Sequence, residues 1–580
     1  MDLVTSRPRV LGWIRSAAIL DGDWGTSIAY VLGIAFALGG PSSSFHLVMM
    51  LGLTTLVALN YITICRLYPD GGGVYSSLRS RARVMAVIGA LMLAADYIVT
   101  ASLSVLEACH YLNLPHPVFF ASVIIILIGI LNVFGPRHAG TLAVIISTGT
   151  LLTLVVLAFF AFPAVTSNAG VRPVEGGLIP NWHIFVGVIL SISGIESISN
   201  MTSVMKDPAR SSRRAILSVL VKIVTLTLIL GIAMNALPET ILKNRVEDML
   251  RFLGEYYVGE WFGPLIGIAL GFLLISAGNT AINALMSLQF LMSADRELPS
   301  ALRRLNRYGV PYYALAVAVA LPLVILLIEA DVVALASLYA IGVVGAILIN
   351  IFSTGINRAL TIPAPIRGLM MASAAVLFMI EVTIAIDKSA ALIFAIAVIT
   401  VGMTARTLTR VRAQRVALGV AGGRRAAAEV EAPGPVPPKP AIAVPSGGNR
   451  ILVAVHELSE NLLRRVCEET RLQHAFLFVL NLRQLSVSGE LPATLSGDVR
   501  INTAWIDSIC TMYDIPYKVI TGITPEVGYT IAEQAATLGV DKLILGTTKR
   551  SLVEQALRGD VIRTVSELLP DEIQLAIYRN

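Results

Sequence analysis

Apolar runs of about 20 residues, each long enough to cross a bilayer as a helix, recur through roughly the first 405 positions. They lie at 17–39, 44–66, 84–112, 116–135, 140–166, 182–204, 213–236, 260–293, 310–330, 332–357, 367–386 and 389–406, and predict about twelve helices. The pattern then changes. Residues 451–455, 475–482, 516–522, 542–546 and 573–579 read as short apolar strands, and segments of helical period such as 461–472 and 526–538 separate them. Strands alternating with helices predict a doubly wound α/β domain. The expected organisation is a polytopic helical membrane domain over 1–408, a Pro/Gly-rich linker over 409–449 and a soluble domain over 450–580.

Two runs are broken in the middle by polar residues. The first carries Asp21-Gly22-Asp23-Trp24-Gly25-Thr26-Ser27, and the sixth carries Ser191-Ile192-Ser193-Gly194-Ile195-Glu196-Ser197-Ile198-Ser199-Asn200. An ionised carboxylate at bilayer depth costs about 2.5–3.5 kcal/mol on the mildest scale. Open backbone is tolerated there only where it lines a cavity. The two breaks are five helices apart, so the second half is inverted relative to the first. Interrupted helices in matching positions of inverted halves point to a midplane binding site.

Asp23, Ser27 and Tyr30 are spaced to share a helical face, as are Tyr97, Thr100 and Ser104 in the third run, with Asp96 beside them. Ser193 and Glu196 come from the sixth. Carboxylate, hydroxyl and carbonyl oxygens suit a hard cation, so Asp23, Asp96, Thr100 and Ser193 are the candidate cation ligands. Three carboxylates facing one cavity cannot all stay charged uncompensated. A bound monovalent cation with a proton would compensate them, and Glu196 is the candidate proton carrier. Glu107 lies nearer the outer end of the third run, by the entrance, and Lys222 in the seventh is expected to snorkel to the cytoplasmic edge.

Composition and charge refine this picture. The chain is 55% hydrophobic and 14% charged, unlike an average soluble domain. Its net charge of +6 is concentrated in alternate loops, after the second, fourth, sixth, eighth, tenth and twelfth runs. This is the positive-inside pattern rather than a nucleic-acid surface, and it places both termini in the cytoplasm. The segment at about 237–259 is expected to be an outer amphipathic helix. Four scattered cysteines suggest neither a disulfide framework nor a metal site.

Gly22-Asp23-Trp24-Gly25-Thr26-Ser27 resembles the G-D-x-G-T-S signature of Kup-type potassium uptake proteins. Asp96-Tyr97-Ile98-Val99-Thr100, the stretch from Ser193 to Asn200 with Lys206-Asp207-Pro208, and Leu338-Tyr339-Ala340-Ile341-Gly342-Val343 resemble KimA-type potassium transporters of the amino acid–polyamine–organocation superfamily. Pro69-Asp70-Gly71-Gly72-Gly73-Val74-Tyr75 is similar to a loop shared across that superfamily. The resemblance implies a LeuT-like inverted repeat, a multi-pass plasma-membrane protein, proton-coupled potassium uptake and a homodimer. It implies that Asp23, Asp96, Tyr97, Thr100, Ser104, Ser193 and Glu196 surround the cation, with Tyr30 and Tyr339 as inner-gate aromatics. Ser193 stands where the KimA type has threonine.

The soluble part resembles a universal-stress-protein module, which in KimA-type proteins dimerises and binds cyclic di-AMP. In its phosphate loop, Gly546-Thr547-Thr548-Lys549-Arg550 to Gly559-Asp560, lysine replaces the second glycine and aspartate the usual hydroxyl residue. His456 replaces the acidic residue after the first strand. Lys549 and Arg550 are the candidates for meeting an anionic nucleotide; the alternative is a dimerisation module without a ligand. No enzymatic cofactor is expected. An amino acid or polyamine permease of the same superfamily, and a membrane-anchored sensor whose transport is vestigial, remain the alternative functions.

Overall fold

The computed structural model describes residues 2–5, 9, 11–135, 139–166, 177–427, 449–455, 460–486, 504–547 and 560–578. Each expected membrane run coincides with helix. The first is split into α1 (Trp13–Asp21) and α2 (Ser27–Gly39), followed by α3 (Ser43–Leu67), the short α4 (Val74–Leu78), α5 (Arg83–Tyr111), α6 (Pro117–Asn132) and α7 (Ala139–Thr166). The sixth is split into α8 (Leu178–Gly187) and α9 (Ser197–Met201). Then come α10 (Pro208–Asn235), the short α11 (Glu239–Leu242) and α12 (Met249–Tyr257), and α13 (Phe262–Ala294). The set closes with α14 (Tyr312–Ile328), α15 (Val332–Gly355), α16 (Ala364–Asp387) and α17 (Ser389–Ala427).

Among the described residues, eight helical stretches are long and apolar enough to span a bilayer, one of them running through the turn between α2 and α3. The segment at 237–259 forms two short helices rather than one; Met249, Leu250 and Leu253 of α12 are buried beneath it. The first part of the range read as linker continues α17 as helix to Ala427.

The soluble part is a parallel sheet with helices between its strands. β2 (Arg450–Val455), β3 (Phe476–Gln484), β4 (Tyr517–Thr524), β5 (Lys542–Gly546) and β6 (Gln574–Tyr578) match the expected strands. The order, counting β1 (Asp2–Thr5), is β1-β4-β3-β2-β5-β6, with every neighbour parallel. Apolar side chains pack on both faces, Val453 and Val479 towards one, Leu452 and Leu480 towards the other. This is the doubly wound arrangement that the strand–helix alternation predicts.

β1 was not foreseen. It carries the start of the chain into the edge of the C-terminal sheet, so both ends of the chain lie on one side of the helical bundle, here termed the near side. The sheet domain also rests on the loop after α13. Ser486 donates its backbone N–H to the Gly309 carbonyl at 2.9 Å, and Leu485 and Ile523 pack on Phe290 and Leu305.

Lys222 corrects an expectation. It lies midway along α10 and does not reach the membrane edge. Its ammonium donates to both oxygens of Asp21, at 2.7 and 2.8 Å, and both side chains are buried. Ser147 of α7 donates to the same carboxylate at 2.6 Å. The buried ammonium is compensated by the opposite charge of Asp21, so removing either partner alone would leave an uncompensated charge in the apolar layer. The pair fastens α1 to α10 just below the first break.

Lys222→Met leaves the Asp21 carboxylate buried without its cation, a change that costs about 3–5 kcal/mol. The solubilised variant should melt well below the wild type, and adding Asp21→Asn, which removes the second charge, should recover most of the loss. An unchanged melting temperature for the single variant would contradict the buried pair.

Candidate functional site

The two breaks form one crossing. Below the first, Asp23 and Trp24 both donate their backbone N–H to the Leu20 carbonyl, at 3.2 and 2.7 Å, and the chain then leaves the α-helical path until Ser27. Hydroxyls add a second donor to carbonyls at the breaks: Ser27 Oγ donates to the Trp24 carbonyl at 2.8 Å beside the Ser27 N–H at 3.2 Å, and Ser197 Oγ donates to the Gly194 carbonyl at 2.7 Å beside the Ser197 N–H at 3.3 Å. Gly194 has a φ of +91°, a conformation that only glycine adopts without strain. A Cβ there would fall 2.5 Å from Trp24 N and 2.6 Å from Trp24 Cα. The second break therefore packs backbone to backbone against the first.

Around this crossing Asp23, Asp96 and Glu196 are all buried. The Asp23 side chain meets that of Ser197. Thr100 Oγ1 donates to Asp96 Oδ1 at 3.1 Å, and the Gly194 backbone N–H donates to Glu196 Oε2 at 3.0 Å. Asp96 lies in the fields of both other acids, and Glu196 in that of Asp23. The Tyr97 hydroxyl accepts from Asn200 Nδ2 at 3.2 Å and lies in the fields of all three. The side chains of Tyr30 and Tyr339 face each other, and Tyr339 also faces Ser193. Ser104 is buried one turn beyond Thr100.

Sequence reasoning thus names residues that the fold gathers into one buried region. The direction of their helices places Tyr30 and Tyr339, the aromatics expected at an inner gate, relative to the carboxylates. α2 leads from Asp23 away from the near side, and Tyr339 lies in the first part of α15, which starts on the far side. Tyr30 and Tyr339 therefore stand on the far side of the carboxylates, where they would bar the path to the far side. On the other side of Glu196 is a narrow seam, too tight for water, lined by Tyr61, Gly73, Leu93, Asn200 and Ala346.

Among the described residues no three His, Cys, Asp or Glu side chains gather closely enough to hold a metal ion. A cation at the crossing would therefore draw on hydroxyl and carbonyl oxygens beside one or two carboxylates, a donor set that suits a large, weakly hydrated ion better than a transition metal. The sequence did not single out Ser197, Asn200, Tyr61 or Asn350, whose side chain faces Tyr61. Ser197 and Asn200 lie within the polar stretch already noted. Tyr61 and Asn350 each sit alone in an apolar helix and carry no local signal. His456, Lys549 and Arg550 lie outside the described residues.

A family model described as amino acid permease matches residues 11–405. Among curated proteins, a probable potassium transport system protein Kup 2 of Albidiferax ferrireducens is 27% identical over 219 residues, covering 31% of this chain and 34% of that protein. The match thus spans about a third of the relative's length. Among solved structures, a universal stress protein from Archaeoglobus fulgidus matches with a TM-score of 0.17 and 19% identity, covering 22% of this chain and 92% of that one.

Gly194→Ala forces a side chain into the Trp24 backbone and a left-handed conformation on a residue with a Cβ. Strain and overlap together should cost about 2–4 kcal/mol, read as a lower melting temperature, and any substrate bound at the crossing should lose affinity. Wild-type stability in this variant would mean that the two breaks do not touch.

Proposed function

The chain belongs to the amino acid permease family, matched over residues 11–405, and from that premise we propose that it imports potassium together with a proton. Membership makes it a multi-pass membrane transporter. The narrower reading, of a small cation, is carried by one observation: three buried carboxylates, Asp23, Asp96 and Glu196, lie in one another's fields around a backbone crossing. The buried ammonium of Lys222 is engaged by Asp21 instead. Such a region repels an amino acid's carboxylate and attracts a cation. The Kup-named relative supports potassium as that cation.

In this reading Asp23, Asp96, Thr100 and Ser193 supply oxygens to the ion, with Tyr97 and Ser104 beside them. Glu196 exchanges the proton, and Tyr30 with Tyr339 closes the far path. Proton exchange at Glu196 lets the region release its cation without leaving a bare cluster of negative charge, which is the physical reason to couple the two. The near side is then the cytoplasm of a cell whose plasma membrane holds the protein. The sheet domain is proposed as a regulatory module on that side, with cyclic di-AMP as its effector and a second copy of the chain as its partner.

The test is rubidium uptake by the full protein in liposomes under an imposed pH gradient, acid on the side opposite the sheet domain. Wild-type protein should accumulate rubidium, and the gradient should speed it. Asp23→Asn and Asp96→Asn should each lower uptake at least tenfold, the loss of about 1.4 kcal/mol or more of ion stabilisation. Glu196→Gln should retain rubidium exchange but lose its dependence on the gradient. Accumulation of labelled spermidine without rubidium flux would favour a polyamine permease.

A further inference from the structure

α5 carries polar residues along one side far beyond the central crossing. Asp96, Thr100, Ser104 and Glu107 follow at intervals of four, four and three residues, and His110 comes three later. Such spacing keeps them on one face. The first three serve the crossing or border it. Glu107 and His110 belong to the far end of the helix, where the function proposed above uses nothing.

That end opens on a polar cavity of about 410 Å³ lined by His110, Asn113, Lys243, Asn244, Glu247 and Asp248. Most of its charges are partnered. His110 Nδ1 lies 3.0 Å from Glu247 Oε2, Arg245 bonds Asp248 at 2.9 Å, and Lys243 bonds Glu239 at 2.8 Å. Hydrogen bonding to His110 holds the Glu247 carboxyl below the usual range. Glu107 differs. It is 1% exposed, and its Oε2 has no hydrogen-bond partner. It lies one turn below His110 and in the fields of Glu247 and Asp248, and its own field reaches Tyr30. A buried carboxyl oxygen with no donor is costly unless something else visits it.

Between cavity and crossing, α5 and the segment after α11 press on α2. The Tyr111 hydroxyl donates to the Ala29 carbonyl at 2.5 Å. The Val246 carbonyl presses on α2 at Gly33, where any Cβ would overlap it.

We propose that Glu107, with the cavity above it, is a far-side loading station for a monovalent cation on its way to the central crossing. This rests on the transport reading given above and on the orientation that reading assigns. The station holds the ion while the Tyr111–Ala29 and Val246–Gly33 contacts change. It explains why one oxygen of this buried acid is left without a donor: a fixed partner there would occupy the place of the moving ion.

Two measurements test it. In rubidium uptake by the full protein, Glu107→Gln should raise KM about tenfold with the maximal rate retained, and Glu107→Asp should restore part of the affinity. A fall in maximal rate at unchanged KM would assign Glu107 to packing and overturn the proposal. In intact cells, Asn244→Cys places a thiol in the cavity wall, and the chain's own four cysteines are buried. A membrane-impermeant cationic thiol reagent should modify it about tenfold faster than an anionic one. Rubidium should slow that reaction, and Glu107→Gln should remove the protection. Equal rates for both reagents and no protection, in protein that still takes up rubidium, would overturn the station and leave the transport reading standing. Absence of rubidium uptake in the wild type would instead remove the transport reading.

Discussion

The cost of holding charge away from water governs this molecule. A carboxylate in the apolar layer must be neutralised, paired or visited, and the bundle contains each arrangement. Asp21 is paired for good by Lys222 and Ser147. Asp23, only two residues on and on the other side of the break, faces Ser197, Asp96 and Glu196. One broken turn thus carries an acid held by an ammonium and an acid that faces other carboxylates.

The outline was legible because membrane spans announce themselves locally. Twenty apolar residues in a row need no partner to be recognised, and a polar break within them stands out against that background. The same holds for the five strands of the sheet domain, whose apolar runs are bounded by turn residues. What escaped notice depends on residues distant in sequence. Lys222 was expected at the membrane edge because its acceptor, Asp21, lies 201 residues away. β1 is four residues long and gains its meaning from β4, at the other end of the chain. Tyr61 and Asn350 acquire a role only once α3 and α15 are brought beside Glu196.

The candidate site divides in the same way. The acids were visible as residues too costly to be idle in lipid. Their mutual placement was suggested by two matching breaks, and the inversion of the halves gave the reason. The direction of the tyrosines was not, since a gate is defined by which way the helices run past the carboxylates. The path of α2 away from the near side decides that question for Tyr30, and the far-side start of α15 decides it for Tyr339.

The contact of Gly194 with the Trp24 backbone has a mechanical consequence. Neither half-helix pair can swing by itself, because each serves as the other's axle. Any tilt of α1 drags α9 along, so the two doors of such a carrier would be geared together, one closing as the other opens. A single missing methyl group is what permits that gearing.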